Sequence, residues 1–209
     1  SASMWAGGSL GEGMTFMHTL GAILIGNIIL GAFTGALGYI AAKTGLSTHL
    51  LAQYSFGVKG AYISSFMLSA TQIGWFGVGL GMFAYPVSKL TGLPLIGIVI
   101  VTGILMTATA YFGMKALTIL SFIAVPAIAV LGSFSATKAV TDMGGMSELF
   151  SYTPTTSLSL AAALTITIGS FISAGTLTPD FARYAKSGKH AVSTTVIAFF
   201  LGNSLMFLF

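Results

Sequence analysis

The chain has 209 residues, of which 55% are hydrophobic and only 6% are charged, and its mean hydropathy is +0.95. Soluble domains carry roughly 25% charged residues, so this composition excludes an ordinary water-soluble fold. Long apolar runs without charge are typical of helical membrane proteins, and the apolar/polar alternation of a membrane β-barrel is missing. The sequence therefore predicts an all-α, polytopic membrane protein. The net charge of +4 is spread over connections, so it bears on topology and not on nucleic-acid binding.

A helix needs about 20 apolar residues to cross a bilayer. Residues 1–13 are too few and are rich in glycine, so we expect them to be the tail of a first helix. Six further helices are predicted, near residues 14–42, 60–88, 95–112, 117–138, 157–178 and 190–209. Residues 43–59, which include His49, are predicted to form a polar connection. Both ends of the chain fall in helix-like sequence, so we expect the chain to belong to a longer protein.

Basic residues indicate how the helices are oriented. The connections after the second, fourth and sixth helices hold six of the eight basic residues: Lys43, Lys59, Lys115, Arg183, Lys186 and Lys189. The opposite connections hold Lys89 and Lys138 beside three of the four acidic residues. Because short basic connections remain in the cytoplasm, we expect the first group, and the missing start of the first helix, on the cytoplasmic side of the inner membrane.

Charged residues all lie at or beyond predicted helix ends, and none is predicted near the membrane midplane. A charged substrate usually meets an opposite charge there, and a proton relay needs a buried Asp, Glu or His. We therefore expect a neutral, polar substrate and a coupling ion held by carbonyl and hydroxyl oxygens. The chain has no cysteine. It also lacks the motifs of metalloproteases, serine hydrolases and P-loop proteins, so it gives no support for an enzyme.

Gln72 and Trp75 lie near the middle of the predicted third helix, three residues apart and so on one face. A primary amide offers one acceptor and two donors in a plane, which matches the edge of a nucleobase-like ring. An indole offers a flat surface for stacking. The alternative is structural, with Gln72 joining two helices and Trp75 filling the bundle. The spacing alone leaves both interpretations open.

The predicted sixth helix contains the stretch Gly169–Asp180, which is unusually polar for a membrane span. Ser170 and Ser173 are three residues apart, whereas Phe171 would point about 100° away from Ser170 in an intact helix. All three can face one ligand only if the backbone leaves helical geometry, which the glycines of this stretch permit. Discontinuous helices of this kind hold substrates in transporters. The alternative is that the hydroxyls bond back to their own helix.

The interrupted opening piece and the interrupted sixth helix occupy matching positions if the protein consists of two inverted five-helix repeats. On this division, residues 1–140 form the first repeat and residues 141–156 an extracellular connection. Residues 157–209 then begin the second repeat with helices six and seven.

The chain resembles the nucleobase–cation symport family, and within it the cytosine permeases of bacteria. The matching stretches are Ala42–Gly60, Thr71–Gly79, Val125–Ala129, Gly169–Thr178 and Ala198–Ser204. The resemblance implies an inverted-repeat fold of five plus five helices, with discontinuous first and sixth helices, only partly covered by this chain. It also implies sodium-coupled uptake of cytosine or a closely related neutral nucleobase by alternating access. The alternative is a proton-coupled or uncoupled permease or channel for another neutral heterocycle, such as a hydantoin.

The resemblance also implies roles for individual residues. The base should lie between Trp75 and Phe171, with Gln72 reading its hydrogen-bonding edge. Ser170 and Ser173 should bond to the base, partly through backbone groups. The expected partners are the nucleobase, the sodium ion and the lipid bilayer, without a cofactor or nucleic acid, and the oligomeric state stays open. The sodium ligands are expected mostly outside this chain, because the family's sodium site joins the first helix to the eighth.

Overall fold

A computed structural model describes residues 2–209, and Ser1 lies outside them. All regular structure in this part of the chain is helical, which confirms the predicted all-α class. The helices are α1 (Ala2–Gly13), α2 (Phe16–Thr44), α3 (Thr48–Thr91), α4 (Leu95–Tyr111), α5 (Gly113–Asp142), α6 (Met146–Ser151), α7 (Leu160–Gly169), α8 (Ile172–Thr176), α9 (Thr178–Ala182), α10 (Gly188–Ile197) and α11 (Asn203–Leu208). A π-helical segment, Ala198–Gly202, joins α10 to α11.

Four helical stretches among the described residues are long and apolar enough to cross a membrane. They are Phe16–Thr44, Thr48–Thr91, Gly113–Asp142 and Gly188–Leu208. The shorter helices Leu95–Tyr111 and Leu160–Gly169 are also apolar. These stretches fall where the length of the apolar runs predicted helices, so apolar length located the spans correctly.

The described residues form two compact units. One consists of Ile73–Ala139 and contains the second part of α3, α4 and most of α5. Within it, a Cβ added to Gly103 of α4 would lie 3.5 Å from Leu80 of α3, so these helices pack closely. The other unit consists of Ala2–Gln72 together with Val140–Phe209.

Helix α2 is the central element of this second unit and packs against α7, α9 and α10. Its glycines allow this packing. A Cβ at Gly26 would lie 2.5 Å from Cγ2 of Thr167 on α7, and one at Gly35 would lie 3.2 Å from Val196 on α10. Small residues let membrane helices approach closely, and the gain in dispersion contacts stabilises the bundle.

A chain of buried side-chain hydrogen bonds joins α1, α2 and α11. Ser3 donates from Oγ to Oδ1 of Asn203 at 2.7 Å, and Asn203 donates from Nδ2 to Oδ1 of Asn27 at 2.8 Å. Asn27 in turn donates to Oγ of Ser204 at 3.0 Å. All four side chains are buried. Because no water reaches these polar groups in their apolar surroundings, each would be costly to bury alone. Their hydrogen bonds to one another offset that cost.

The prediction of a polar connection over residues 43–59 is wrong for most of its length. Helix α3 begins at Thr48, so His49 lies on a helix. The left-handed Gly57 (φ 68°, ψ 175°) kinks α3 and separates its first turns from the span. The side chain of Asp180 accepts a hydrogen bond from the backbone N–H of Thr48, which stabilises the start of this helix.

Candidate functional site

The helix that contains the polar stretch is broken, as predicted. Helix α7 ends at Gly169, and Phe171 (φ −134°, ψ −7°) leaves helical geometry before α8 begins. A second interruption lies at Leu177 (φ −86°, ψ 3°), before α9. The break therefore falls at Phe171, between the two serines, and not at a glycine. Gly175 serves packing instead, since a Cβ there would lie 3.0 Å from Thr34.

The two serines beside the break differ in what their hydroxyls do. Ser170 donates from Oγ to the carbonyl oxygen of Thr167 at 2.9 Å, so it bonds back to its own helix. The hydroxyl of Ser173 has no hydrogen-bond partner within residues 2–209. The hydroxyl of Ser173 is thus available to a ligand, whereas the hydroxyl and the backbone N–H of Ser170 already bond to Thr167 and Ile166.

The ring of Phe171 packs edge to face against Phe199, with ring centroids 5.4 Å apart and an interplanar angle of 82°. Both rings line a cavity of about 730 Å³ between α8, α9 and α10. The edge-to-face contact orients the Phe171 ring and is worth about 0.5–1.5 kcal/mol beyond its buried area.

Gln72 lines a different cavity, of about 400 Å³, in the same unit. The cavity is lined by Thr48, His49, Ser65, Leu68, Ser69, Gln72, Leu177 and Asp180. The Nε2 atom of Gln72 is buried, and it has no hydrogen-bond partner among the residues the structure describes. A buried donor left unpaired costs about 1–3 kcal/mol. The amide is therefore a strong candidate to donate to a bound polar molecule.

The polar residues around this cavity are held by specific contacts. Nδ1 of His49 lies 2.6 Å from Oγ of Ser65, and Nε2 of Gln53 lies 3.3 Å from Nε2 of His49. Asp180 accepts hydrogen bonds from Thr48, at 3.2 Å from the backbone N–H and at 3.0 Å from the hydroxyl. Sequence reasoning missed His49 and Asp180 as neighbours of Gln72. Their proximity depends on contacts between segments distant in sequence, although the polarity of Gly169–Asp180 was a partial signal.

Trp75 follows Gln72 by three residues on α3 but belongs to the unit Ile73–Ala139. It is half-buried. Its neighbour Phe76 lines an apolar cavity of about 690 Å³ in that unit, together with residues of α4. The structure places Gln72 and Phe171 at separate cavities, so a shared binding site for the five predicted residues stays a prediction.

The comparisons with known proteins agree with this architecture. Residues 1–209 match the family described as permeases for cytosine and purines, uracil, thiamine and allantoin. The cytosine permease of Escherichia coli (strain K12) is 56% identical over 209 residues, which are 100% of this chain and 50% of the relative. The cytosine permease of Escherichia coli O157:H7 has the same identity and coverage. The chain thus spans about half the length of the curated relatives it matches.

A solved structure shows the same fold. Mhp1, a nucleobase-cation-symport-1 family transporter in a closed conformation with bromovinylhydantoin bound, has a TM-score of 0.83 and 18% sequence identity to this chain. The match covers 98% of this chain and 49% of that one. This confirms the predicted transporter fold, only partly covered here. The family consists of multi-pass membrane transporters and not of enzymes, as the sequence predicted. The chain therefore belongs to the family of permeases for cytosine and purines, uracil, thiamine and allantoin.

Proposed function

We propose that the protein containing this chain takes up cytosine, or a closely related neutral nucleobase, by sodium-coupled symport with alternating access. The observation that carries the proposal is the buried, unpartnered amide nitrogen of Gln72 beside a cavity. The curated relatives are named cytosine permeases, which supports cytosine as the base. The absence of charge at the predicted midplane supports a neutral substrate.

The chemistry of the five predicted residues suits a flat heterocycle. The Gln72 amide donates from Nε2 to a ring nitrogen or carbonyl of the base and accepts at Oε1 from its exocyclic amine. The hydroxyl of Ser173 adds a bond, and Ser170 contributes through its backbone carbonyl, because its hydroxyl and its N–H already bond to Thr167 and Ile166. Trp75 and Phe171 supply aromatic faces for stacking, which is worth about 1–3 kcal/mol per base.

The coupling ion has two candidates. Sodium is proposed from the family resemblance, with its ligands mostly outside this chain. Proton coupling is the second candidate, because His49 and Asp180 line the same cavity as Gln72. The basic residues Lys43, Arg183 and Lys189 support a cytoplasmic location for the nearby connections. The proposed location of the whole protein is the inner membrane.

Competition binding on the complete protein tests the substrate, with radiolabelled cytosine displaced by cytosine, uracil or a hydantoin, with and without sodium. We expect cytosine to compete most strongly and sodium to raise its affinity. Hydantoin is included because a hydantoin is bound to Mhp1. Displacement of the label by uracil or a hydantoin at lower concentrations than cytosine needs contradicts the proposed substrate.

Uptake into proteoliposomes separates the two coupling ions. A sodium gradient alone, at equal pH on both sides, should concentrate cytosine inside. Uptake that ignores sodium and follows an imposed pH gradient contradicts sodium coupling and supports the second candidate.

A further inference from the structure

We propose that α2 and α10 form a binding site for an anionic phospholipid where the end of one helix meets the start of the other. Lys43 and Lys189 hold the phosphate of the headgroup, and the acyl chains lie along exposed apolar faces of the same two helices. This inference depends on the proposed orientation in the membrane and not on which base the protein carries. None of the five predicted base-binding residues belongs to this surface.

The last turn of α2 lies against the first residue of α10. A Cβ added to Gly188, where α10 begins, would lie 2.7 Å from Cδ2 of Tyr39 and 3.6 Å from Cε of Lys43. Lys43 belongs to the last turn of α2, and Lys189 follows Gly188 in the first turn of α10. The two lysines therefore lie at the same end of the helix pair.

Both lysines also lie on the same side of the contact between the helices. A Cβ at Gly35 would lie 3.2 Å from Val196, and the contact of Gly188 with Lys43 shows that the helices run antiparallel. At 100° per residue, Lys43 lies about 80° around α2 from Gly35, and Lys189 about 20° around α10 from Val196. The two rotations have the same sense along their own chains. Because the helices are antiparallel, equal senses lead to the same side, so both lysines border one groove.

The positive charges at this groove have no carboxylate partner. Lys43 and Lys189 are exposed, and neither forms an ion pair within residues 2–209. Asp180, the acidic residue nearest to Lys189 in sequence, already accepts two hydrogen bonds from Thr48. Lys186 adds a third positive charge to the same connection. Unpaired basic residues at the cytoplasmic end of membrane helices attract the headgroups of anionic lipids.

Tyr39 places the charge of Lys43 in the headgroup layer. The Nζ atom of Lys43 lies 5.8 Å from the centroid of the Tyr39 ring, and the ring is 47% exposed. Tyrosine rings are enriched at the boundary between lipid and water. A lysine at that depth keeps its methylene groups among the acyl chains and its ammonium group among the phosphates.

Exposed apolar residues continue from each lysine along its helix. Those that lead up to Lys43 on α2 recur at intervals of three or four residues and are Ile25, Ile29, Phe33, Ala36 and Ile40. Those that follow Lys189 recur at intervals of four, after Ser193, and are Ile197, Leu201 and Leu205. Residues three or four apart share one face of a helix. Each lysine thus ends an apolar stripe, as a headgroup ends the acyl chains of a lipid.

The charge of the site selects among lipids. Phosphatidylglycerol has a phosphate and no positive group, whereas phosphatidylcholine carries a quaternary ammonium that the lysines repel. Each basic residue near the surface is worth about fivefold in affinity for an anionic lipid. We therefore infer phosphatidylglycerol as the lipid that the two lysines bind.

Native mass spectrometry of the complete protein in detergent tests this inference, with phosphatidylglycerol and phosphatidylcholine as the probes. We expect the parent to bind phosphatidylglycerol several-fold more tightly than phosphatidylcholine. Lys43→Gln and Lys189→Gln should each raise the Kd for phosphatidylglycerol about fivefold, and the double variant about 25-fold. Lys189→Arg keeps the charge and should bind phosphatidylglycerol as the parent does.

Lys89→Gln is the matched control. Lys89 also lies in the last turn of its helix, and its Nζ also lies over a tyrosine four residues earlier, 5.2 Å from the centroid of Tyr85. Its connection is the one expected on the opposite side of the membrane. The control should therefore leave the Kd for phosphatidylglycerol unchanged. The Tm of every variant without lipid should stay within a few degrees of the parent, because the substituted lysines are exposed.

Three results overturn the lipid site. They are equal Kd values of the parent for the two lipids, an unchanged Kd for phosphatidylglycerol in the double variant, and a loss in Lys89→Gln as large as that in Lys189→Gln. The second result is the one expected if another part of the complete protein covers the two lysines.

Glycerol 3-phosphate, which has no acyl chain, separates a lipid from a soluble phosphate as the ligand. It should displace phosphatidylglycerol only at concentrations at least about a hundredfold higher than the lipid's, because it buries no apolar surface on the helices. Displacement at equal concentration assigns the site to a soluble phosphate and contradicts the lipid.

Discussion

Asn203 donates a hydrogen bond from Nδ2 to Oδ1 of Asn27 at 2.8 Å, although 176 residues separate the two in sequence. Asn27 is fully buried and Asn203 is 5% exposed, so neither amide has water as an alternative partner. Ser3 and Ser204 bond to the remaining ends of the pair. The pair therefore holds α1, α2 and α11 together at one depth in the bundle.

Replacing Asn203 tests how much this hydrogen-bond network contributes to the stability of the protein. Asn203→Ala leaves Oδ1 of Asn27 and the hydroxyl of Ser3 unpaired, so we expect a loss of about 1–3 kcal/mol in the free energy of unfolding. The Tm of the complete protein in detergent measures it, with the exposed Ser193→Ala as control. The double variant with Asn27→Ala should lose less than the sum of the single variants, because both remove the same bond. Full additivity contradicts the network.

Two glycines of α2 provide a matched test of close packing. Gly26→Ala places a methyl group 2.5 Å from Cγ2 of Thr167, whereas Gly21→Ala meets open space. We expect Gly26→Ala to destabilise the protein by about 1–3 kcal/mol through overpacking. Gly21→Ala should be neutral or slightly stabilising, because alanine favours helix over glycine. The contact between α2 and α7 is refuted if both variants have the same Tm.

The serines at the helix break should affect binding unequally. The hydroxyl of Ser170 bonds to Thr167, and that of Ser173 has no partner within residues 2–209. Ser173→Ala removes a bond to the base and should weaken cytosine binding by up to about tenfold, as expected for one hydrogen bond. Ser170→Ala should have a smaller effect on the Kd. Equilibrium binding on both variants checks this, and the reverse order contradicts the assigned roles.

The indole of Trp75 should contribute through its ring area. Trp75→Ala removes a stacking surface worth about 1–3 kcal/mol, which is about 5- to 150-fold in Kd. Trp75→Phe should retain part of this. Phe76→Ala is the matched control, since Phe76 is adjacent in sequence but lines the cavity beside α4. If Phe76→Ala weakens cytosine binding as much as Trp75→Ala does, Trp75 does not stack on the base.

Hydrophobic length was sufficient to predict the spans, because crossing a bilayer needs a minimum number of apolar residues. The broken helix was also predictable, since a stretch with so many hydroxyl groups is unusual for a lipid-facing span. The position of the break was not predictable. The glycines of the stretch suggested a break at a glycine, but the structure places the break at Phe171. The ring of Phe171 contacts Phe199, which follows it by 28 residues, and such a contact leaves no local signal in the sequence.

The polar surroundings of Gln72 could not be predicted for the same reason. The first turns of α3 look like a connection when judged by their composition. Their helical start is supported by the carboxylate of Asp180. His49 and Ser65 lie on opposite sides of the kink at Gly57, and Nδ1 of His49 lies 2.6 Å from Oγ of Ser65. Contacts between distant segments therefore decided which polar residues lie near Gln72.

Equilibrium binding of radiolabelled cytosine to the complete protein carrying Gln72→Ala tests the central claim most directly. Thr71→Ala is the control, because Thr71 is exposed and its hydroxyl bonds to the carbonyl of Met67 on its own helix. The loss of the amide's bonds to the base should raise the Kd by about tenfold or more, with the Tm within a few degrees of the parent. A folded Gln72→Ala variant that binds cytosine as tightly as Thr71→Ala contradicts the account.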